Sequence, residues 1–402
     1  MERLLIYSQD GMGLGHLRRT RNIAREVLTW KPGCSILILA DSPVVPFFSP
    51  LGGVDYLKLP TIVKTGDVTW QSSILPLNIS ETVNLRAKVI RQVFREFKPD
   101  AVLVDHMPVG ALGELKLLLE SSVQRKRHSK FFLGLRDVLD APEVIRRVWG
   151  GIGAYEYLQL YDAVLIYGSH QIYAAESFYD LTSYARQVTY CNYVVPRMHT
   201  DVPSHQPDEP FILVMGGGGK DSYPVAHTFL RAFPLLLSEM RLRALVLTGP
   251  HMDSAERTDL MAQAIGYPVE VLSSVEDATL LLRQAAAVVT MAGYNSLCEV
   301  LAWRKKALVV PRAGPSAEQR IRSQVFSQRS LVRMLDPDNL TPERMAQELM
   351  QLLTDDNIPN LDNIPPLDGA QQAALALLGK DEGGAMNHRL SRAGANRAAV
   401  KK

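Results

Sequence analysis

Residues 291–319, MAGYNSLCEVLAWRKKALVVPRAGPSAEQ, gather side chains suited to holding a nucleotide. Gly293 permits a tight turn after the apolar run AAVVT, and Asn295 or Ser296 can then cap a helix whose first backbone N–H groups have no intrahelical partner. Such a helix end favours an anion, a diphosphate for example. Glu299 follows further along that helix, where a carboxylate can accept hydrogen bonds from both vicinal hydroxyls of a ribose. KALVVP reads as the next buried strand. The loop after Pro311 ends in Glu318 and Gln319, a polar pair at the strand's carboxyl end, the edge at which open α/β sheets bind ligands.

Two glycine-rich loops follow apolar runs elsewhere. SQDGMGLGHLRRTRNIA sets Gly11, Gly13 and Gly15 before a helical pattern, with His16 where a dinucleotide fingerprint would need its third glycine. The dehydrogenase reading therefore fails where helix and strand must pack most closely. The glycines can instead admit a substrate close to the backbone, leaving His16 at the helix start as a candidate general base. The second loop, Gly216, Gly217, Gly218 and Gly219 followed by Lys220 and Asp221, can form a backbone nest for a diphosphate, with Lys220 as a point charge. It lacks GxxxxGK[ST] spacing, so an ATP P-loop is not implied. AVLVD ends in Asp105-His106 and FFLGL is followed by Arg136-Asp137. These pairs read equally as a turn cap and a structural salt bridge, or as groups facing a ligand.

The spacing of Gly293, Glu299, Pro311 and Glu318-Gln319 resembles the donor-sugar signature of glycosyltransferase family 28, whose best-known member adds N-acetylglucosamine in peptidoglycan synthesis. The resemblance runs in order through most of the chain. It implies that Glu299 holds a uridine ribose and that Glu318 and Gln319 hold the hydroxyls of the donor sugar. The GxGH pattern around His16 is shared with that family. Some enzymes of the fold orient such a histidine with an aspartate from a later strand end, here Asp105. Gly13, Gly15, His106 and Arg136 then face the acceptor. The family's second loop is usually GGS followed by Gln-Gly, from which Gly219 and Lys220 depart.

The resemblance further implies a UDP-sugar donor, no cofactor and no metal, the leaving diphosphate being stabilised by helix dipoles and side chains. The triplet Asp336-Pro337-Asp338 looks like a metal-binding DxD but reads as a Pro-containing turn. Retaining relatives commonly carry a second glutamate eight positions after the first; Ala307 stands there, which implies inversion. Rival readings are a UDP-sugar hydrolase, whose GxGHxxR loop is very like GLGHLRR, a sugar-nucleotide epimerase, and a non-catalytic sugar-nucleotide sensor.

A formal net charge of +2 argues against nucleic acid as a partner. Cys34, Cys191 and Cys298 are odd in number and widely spaced, which points to reduced thiols in the cytoplasm rather than a disulfide framework or a zinc site. No apolar run approaches a bilayer's width, so any membrane contact is expected to be peripheral, at the inner face. VVPFFSPLGG and SSILPLN could offer an acceptor an apolar approach.

These residues need elements to position them. RLLIYS, CSILILA, AVLVD, FFLGL and AVLIYG read as strands, with helical patterns at 17–30, 81–97, 109–124 and 143–149. FILVM, ALVLTG, VEVLS, AAVVT and ALVVP open a second alternation. The fold class expected is α/β, two tandem doubly wound Rossmann-like domains of GT-B type with a cleft between them. The expected divisions are an acceptor-side domain over 1–196, a proline-rich linker over 197–210, a nucleotide-sugar domain over 211–379 and a flexible basic tail over 380–402.

Overall fold

A computed structural model of the 402-residue chain describes residues 1–11, 13, 15–43, 51–65, 69–124, 128–197, 209–275, 278–380 and 389–391. The chain divides into two compact units, one of residues 1–196 with 366–402, the other of residues 197–365. Most of the expected linker, residues 198–208, lies outside the described residues.

The first unit contains β1 (Arg3–Ser8), β2 (Ser35–Ala40), β3 (Val54–Lys58), a hairpin of β4 (Ile62–Lys64) and β5 (Trp70–Ser72), β6 (Ala101–Asp105), β7 (Lys130–Arg136), β8 (Ala163–Tyr167) and β9 (Gln187–Tyr190). Its main sheet runs β3-β2-β1-β6-β7-β8-β9 with all of these neighbours parallel. Helices connect most strands, so both faces are covered, and β6 and β8 are buried at every residue. In register, Ser8 stands opposite Ala40 on one side and Asp105 on the other. The loops after β1, β2 and β6 therefore meet at one edge of the sheet.

The second unit contains β10 (Phe211–Met215), β11 (Arg243–Leu247), β12 (Val269–Leu272), β13 (Ala287–Thr290), β14 (Lys306–Val309) and β15 (Arg333–Met334). They form a parallel sheet in the order β12-β11-β10-β13-β14-β15. Phe229, Phe233, Val246, Val289 and Leu308 lie in its closed apolar core. Met215 pairs with Thr290 and Thr290 with Val309, so the tetraglycine loop, the Gly293 turn and the loop after β14 emerge side by side.

The structure corrects two boundaries. The second unit ends at residue 365, not 379, because the helix Gly369–Leu378 returns to the first unit and packs on the helix Gly15–Trp30. Gly369 donates its N–H to the Tyr193 carbonyl, Asn192 donates to Asp368, and a Cβ on Gly369 would stand 2.6 Å from the Tyr193 carbonyl carbon. Within the expected tail, β16 (Arg389–Ser391) pairs antiparallel with β9. The helix expected from 109 begins only at Lys116, since Gly110 and Gly113 take φ of 78° and 90°, outside helical space.

Candidate active site

The first unit builds its site on the loop after β1. Asp10 caps the helix Gly15–Trp30 from within that loop: its two carboxylate oxygens accept the backbone N–H groups of His16 (2.8 Å) and Leu17 (2.7 Å). An anion at this helix end matches the dipole. Burial lifts the Asp10 carboxyl above the usual range, against the pull of His16 and the two N–H groups. The next loop back is held by Asp41, fully buried, whose Oδ1 accepts the N–H groups of Asp10 (2.8 Å) and Gly11 (3.0 Å).

His16 is thereby aimed at Asp105, the last residue of β6. Its Nδ1 lies 2.6 Å from Asp105 Oδ2, with the imidazole 16% exposed and the carboxylate fully buried. Arg19, one turn along the same helix and also buried, binds Asp105 through Nε (3.2 Å to Oδ1) and Nη2 (2.6 Å to Oδ2). Burial opposes the charge on Asp105, but Arg19 and His16 outweigh it and hold the carboxyl below the usual carboxylate range. An ionised carboxylate only accepts, so Nδ1 of His16 carries the proton it donates, and in the neutral imidazole Nε2 is then the acceptor. The 2.8 Å approach of Arg19 Nη2 to His16 Nδ1 is then a meeting of two donors on one oxygen, not a bond. Chemically, an imidazole oriented in this way by a buried carboxylate is able to act as a general base.

Beneath it lies a second set of buried charges. Arg86 donates to Asp41 Oδ2 (3.2 Å), Glu114 Oε1 (2.9 Å), Tyr7 Oη (3.1 Å) and the Pro60 carbonyl (2.6 Å). Tyr7 donates to Glu114 (2.7 Å), and Glu114 Oε2 accepts the Leu112 N–H (2.9 Å). The network links the loops after β1, β2, β3 and β6. With every charge paired and bonded it fixes where the glycine loop sits.

His106 lies beside the dyad, its ring centroid 4.8 Å from that of His16. Its backbone φ of 81° is uncommon for a residue with a side chain and turns the chain sharply after β6. Burial, then the charges of Arg136, His16 and Arg19, push its imidazole well below the usual histidine range, so it is neutral. Its Nδ1 is buried and finds no partner among the described residues. Arg136 ends β7 on the same edge, and Tyr167 ends β8, its ring 5.4 Å from the Arg19 guanidinium. A Cβ at residue 134 of β7 would collide with that ring, so only glycine lets Tyr167 back the ion pair. Gly13 and Gly15 belong to the loop, Gly13 bonding to the Asp10 carbonyl and Gly15 opening the helix. Of the apolar segments, residues 44–50 lie outside the described residues, while Ile74, Leu75 and Leu77 stand exposed after β5.

In the second unit the tetraglycine loop divides by role. Gly219 has a φ of 98°, and a Cβ there would lie 2.6 Å from the Thr248 carbonyl; Gly216 is hemmed in by Ser222 and the same carbonyl. Both bond within the loop, through Gly216 N–H to Leu247 O and Gly219 N–H to Gly216 O. Gly217 and Gly218 are exposed, and their N–H groups meet no acceptor among the described residues. Lys220 is exposed next to them.

The helix Tyr294–Ala302 has Gly293 as its N-cap, with no side-chain cap; Asn295 and Ser296 lie in its first turn, which corrects the expectation that either caps it. Glu299 sits on this helix, half-buried. Glu318 and Gln319 open the helix Glu318–Ser327 instead of closing a loop. Gln319 Oε1 accepts the Arg312 N–H (2.9 Å), and Glu318 bonds Arg322 (2.8 Å). Arg322 is buried over the Tyr294 ring and donates to the Ala292 carbonyl (3.0 Å), which ties the two helix starts together. Asp336 caps a 3-10 turn over Pro337–Asn339, and Arg320 bridges Asp336 and Asp338, so the DPD triplet is a turn. Among the described residues no cluster of three or more His, Cys, Asp or Glu could hold a metal, and no helix is long and apolar enough to cross a membrane.

Asp10, Arg19, Asp41, Arg86, Glu114, Arg312 and Arg322 escape the sequence-based reading of the site. Arg19 alone had a signal, since residues three apart share a helix face and GHLRR places it under His16.

Two tandem Rossmann-like domains define the class, the GT-B fold. The chain is similar to the crystal structure of the glycotransferase of kitacinnamycin, with a TM-score of 0.61 and 18% identity over 93% of this chain and 95% of that one. It is also similar to a putative UDP-N-acetylglucosamine 2-epimerase from Listeria monocytogenes, with a TM-score of 0.60 and 13% identity over 100% and 96%. At such identities the likeness is one of fold. Residues 211–364 match the model of the glycosyltransferase family 28 C-terminal domain. A relative from Syntrophotalea carbinolica, UDP-N-acetylglucosamine--N-acetylmuramyl-(pentapeptide) pyrophosphoryl-undecaprenol N-acetylglucosamine transferase, is 29% identical over 162 residues, which is 40% of this chain and 44% of that protein. The match thus spans less than half of that relative. The second domain is of the family 28 type, as the 291–319 tract led one to expect.

Proposed function

We propose that the protein is a glycosyltransferase that moves a hexose or N-acetylhexosamine from a nucleoside diphosphate sugar, a UDP-sugar by the family 28 resemblance, to an acceptor hydroxyl. The observation that carries this reading is the His16–Asp105 pair, an imidazole held through Nδ1 by a buried carboxylate, at the strand edge of the domain that the family match does not cover. The second domain supplies the donor site: Glu299 for the ribose, the free N–H groups of Gly217 and Gly218 and the start of the helix Tyr294–Ala302 for the diphosphate, and Glu318 and Gln319 for the sugar.

In the reaction, Nε2 of His16 takes the proton from the acceptor hydroxyl as its oxygen attacks the anomeric carbon. Asp105 steadies the imidazolium that forms, and Arg19 keeps Asp105 ionised throughout. The glycosidic C–O bond breaks on the opposite side, and the UDP leaving group carries away the electron pair. Backbone N–H groups stabilise its charge without reorganising. Such a single displacement inverts the anomeric centre and uses no metal or cofactor. Exposed Ile74, Leu75 and Leu77 suit an acceptor with an apolar part, or peripheral contact with a membrane's inner face.

A second reading, hydrolysis of a UDP-sugar by water, draws on Arg19, the arginine of the GxGHxxR pattern, which bonds the same Asp105 carboxylate as His16. Incubating the purified protein with a panel of nucleotide sugars, with and without lipid, glycan and small-molecule acceptors, separates the readings. Release of UDP only with an acceptor supports transfer. Release of UDP and free sugar without any acceptor supports hydrolysis, and no turnover of any donor overturns both.

A further inference from the structure

Arg312 lies three residues beyond β14, and Asp221 lies just past the tetraglycine loop that follows β10. Their side chains meet, Arg312 Nη2 standing 2.9 Å from Asp221 Oδ2, both about two-fifths exposed. In the sheet, β13 lies between β10 and β14. The ion pair therefore joins the loops on either side of β13, whose own loop opens the helix Tyr294–Ala302 at Gly293. The backbone of Arg312 is fixed, its N–H held by Gln319 Oε1 at 2.9 Å. Its guanidinium is not fully used, because Nε is buried and has no partner among the described residues. On the other side of the pair, Gly217 and Gly218 present N–H groups that meet no acceptor among the described residues.

A guanidinium with bonding capacity to spare, two open backbone N–H groups and a helix start are donors, and the only acceptor among these groups is the Asp221 carboxylate. We propose that Arg312 is an anion-binding residue for the diphosphate of the donor and that Asp221 is a built-in placeholder, occupying Arg312 until the diphosphate displaces it. The inference rests on the nucleotide-sugar reading. The guanidinium fork matches phosphate oxygens in two-point geometry, whereas Asp221 engages it at one nitrogen. Displacement leaves Asp221 in water, which its exposure allows, and the carboxylate repels the incoming diphosphate until it swings away.

Opposite effects at the two residues distinguish this from a purely structural ion pair. In calorimetry with UDP and with uridine, Arg312→Gln should weaken UDP binding by about tenfold or more, the range for charge-assisted bonds, and leave uridine binding unchanged. Asp221→Asn should tighten UDP binding by roughly threefold, since it removes a competitor and a like charge. If both variants weaken UDP binding equally, or neither changes it while the wild type binds UDP, the inference is wrong and the pair is structural. If the wild type binds neither UDP nor uridine, the nucleotide-sugar reading itself falls, and the inference with it.

Discussion

Nδ1 of His16 and Oδ2 of Asp105 stand 2.6 Å apart, joined across 89 residues of sequence by the parallel pairing of β1 with β6. The strand that leads to the histidine and the strand that carries the aspartate end at the same edge because Ser8 and Asp105 are register partners. Asp105 has a second duty, since it is the counter-ion of the buried Arg19.

That double role makes Asp105→Asn informative. The amide cannot hold the imidazole in the Nδ1–H tautomer against Arg19, so turnover should fall by about a hundredfold or more. It also leaves Arg19 buried without its charge partner, at a cost of about 3 kcal/mol or more of stability. Denaturant melts and steady-state kinetics read the two effects separately. Full activity in a stable Asp105→Asn protein would contradict the orienting role.

Asp105 also sets an acid limit. Its carboxyl is held below the usual range when folded, so its contribution to stability is present above the unfolded value near ~3.9 and is lost as pH falls through the folded value. His106 acts at milder acidity. Its folded imidazole is pushed well below the usual range, so the unfolded state binds the proton first and stability drops as pH falls below ~6.5. Asn tolerates the positive φ at this site and does not titrate. The loss of melting temperature between pH 7 and pH 5 should therefore be smaller in His106→Asn than in the wild type. An equal loss would mean that His106 takes a proton in the folded state.

Arg86 tests the frame under the glycine loop. Arg86→Met removes the cation from between Asp41 and Glu114, all three fully buried, and should destabilise the protein by about 3–5 kcal/mol in urea unfolding. Because Asp41 holds the Asp10 and Gly11 N–H groups, turnover should fall as well, with donor affinity kept. A change below about 1 kcal/mol, the range of surface ion pairs, would show that the network is not a keystone.

Glu299→Ala tests the donor side. If its carboxylate takes the ribose hydroxyls, UDP binding should weaken by about 1.5–3 kcal/mol, the range for hydrogen bonds to a charged group. Unchanged affinity with the fold intact would remove Glu299 from the ribose site.

Much of the fold was legible because its central strands are buried on both faces, which writes runs such as RLLIYS, AVLVD and FILVM into the sequence. β3, an edge strand with Asp55 and Lys58 exposed, and the polar β9 leave no such run. The helix 369–378 was not read from the sequence, and periodicity says nothing of which domain a helix packs on. In the site, glycine loops and strand-end pairs could be read because their residue types are uncommon there. Arg86 and Arg322 could not, since arginine is usually exposed and only the folded chain shows them buried. Gln319 was visible as a polar side chain at a ligand edge, yet its bond to the Arg312 N–H depends on where the helix starts.

The kinetics of His16→Ala in the acceptor-dependent reaction, paired with calorimetry of UDP binding, test most directly whether His16 is the base. With His16 as the base, turnover falls by about a hundredfold or more, in line with general-base contributions, while UDP affinity stays within about twofold of the wild type because the proposed donor groups belong to the second domain. Near-normal turnover in the variant would contradict it and move the search for the base to Asp105 or His106.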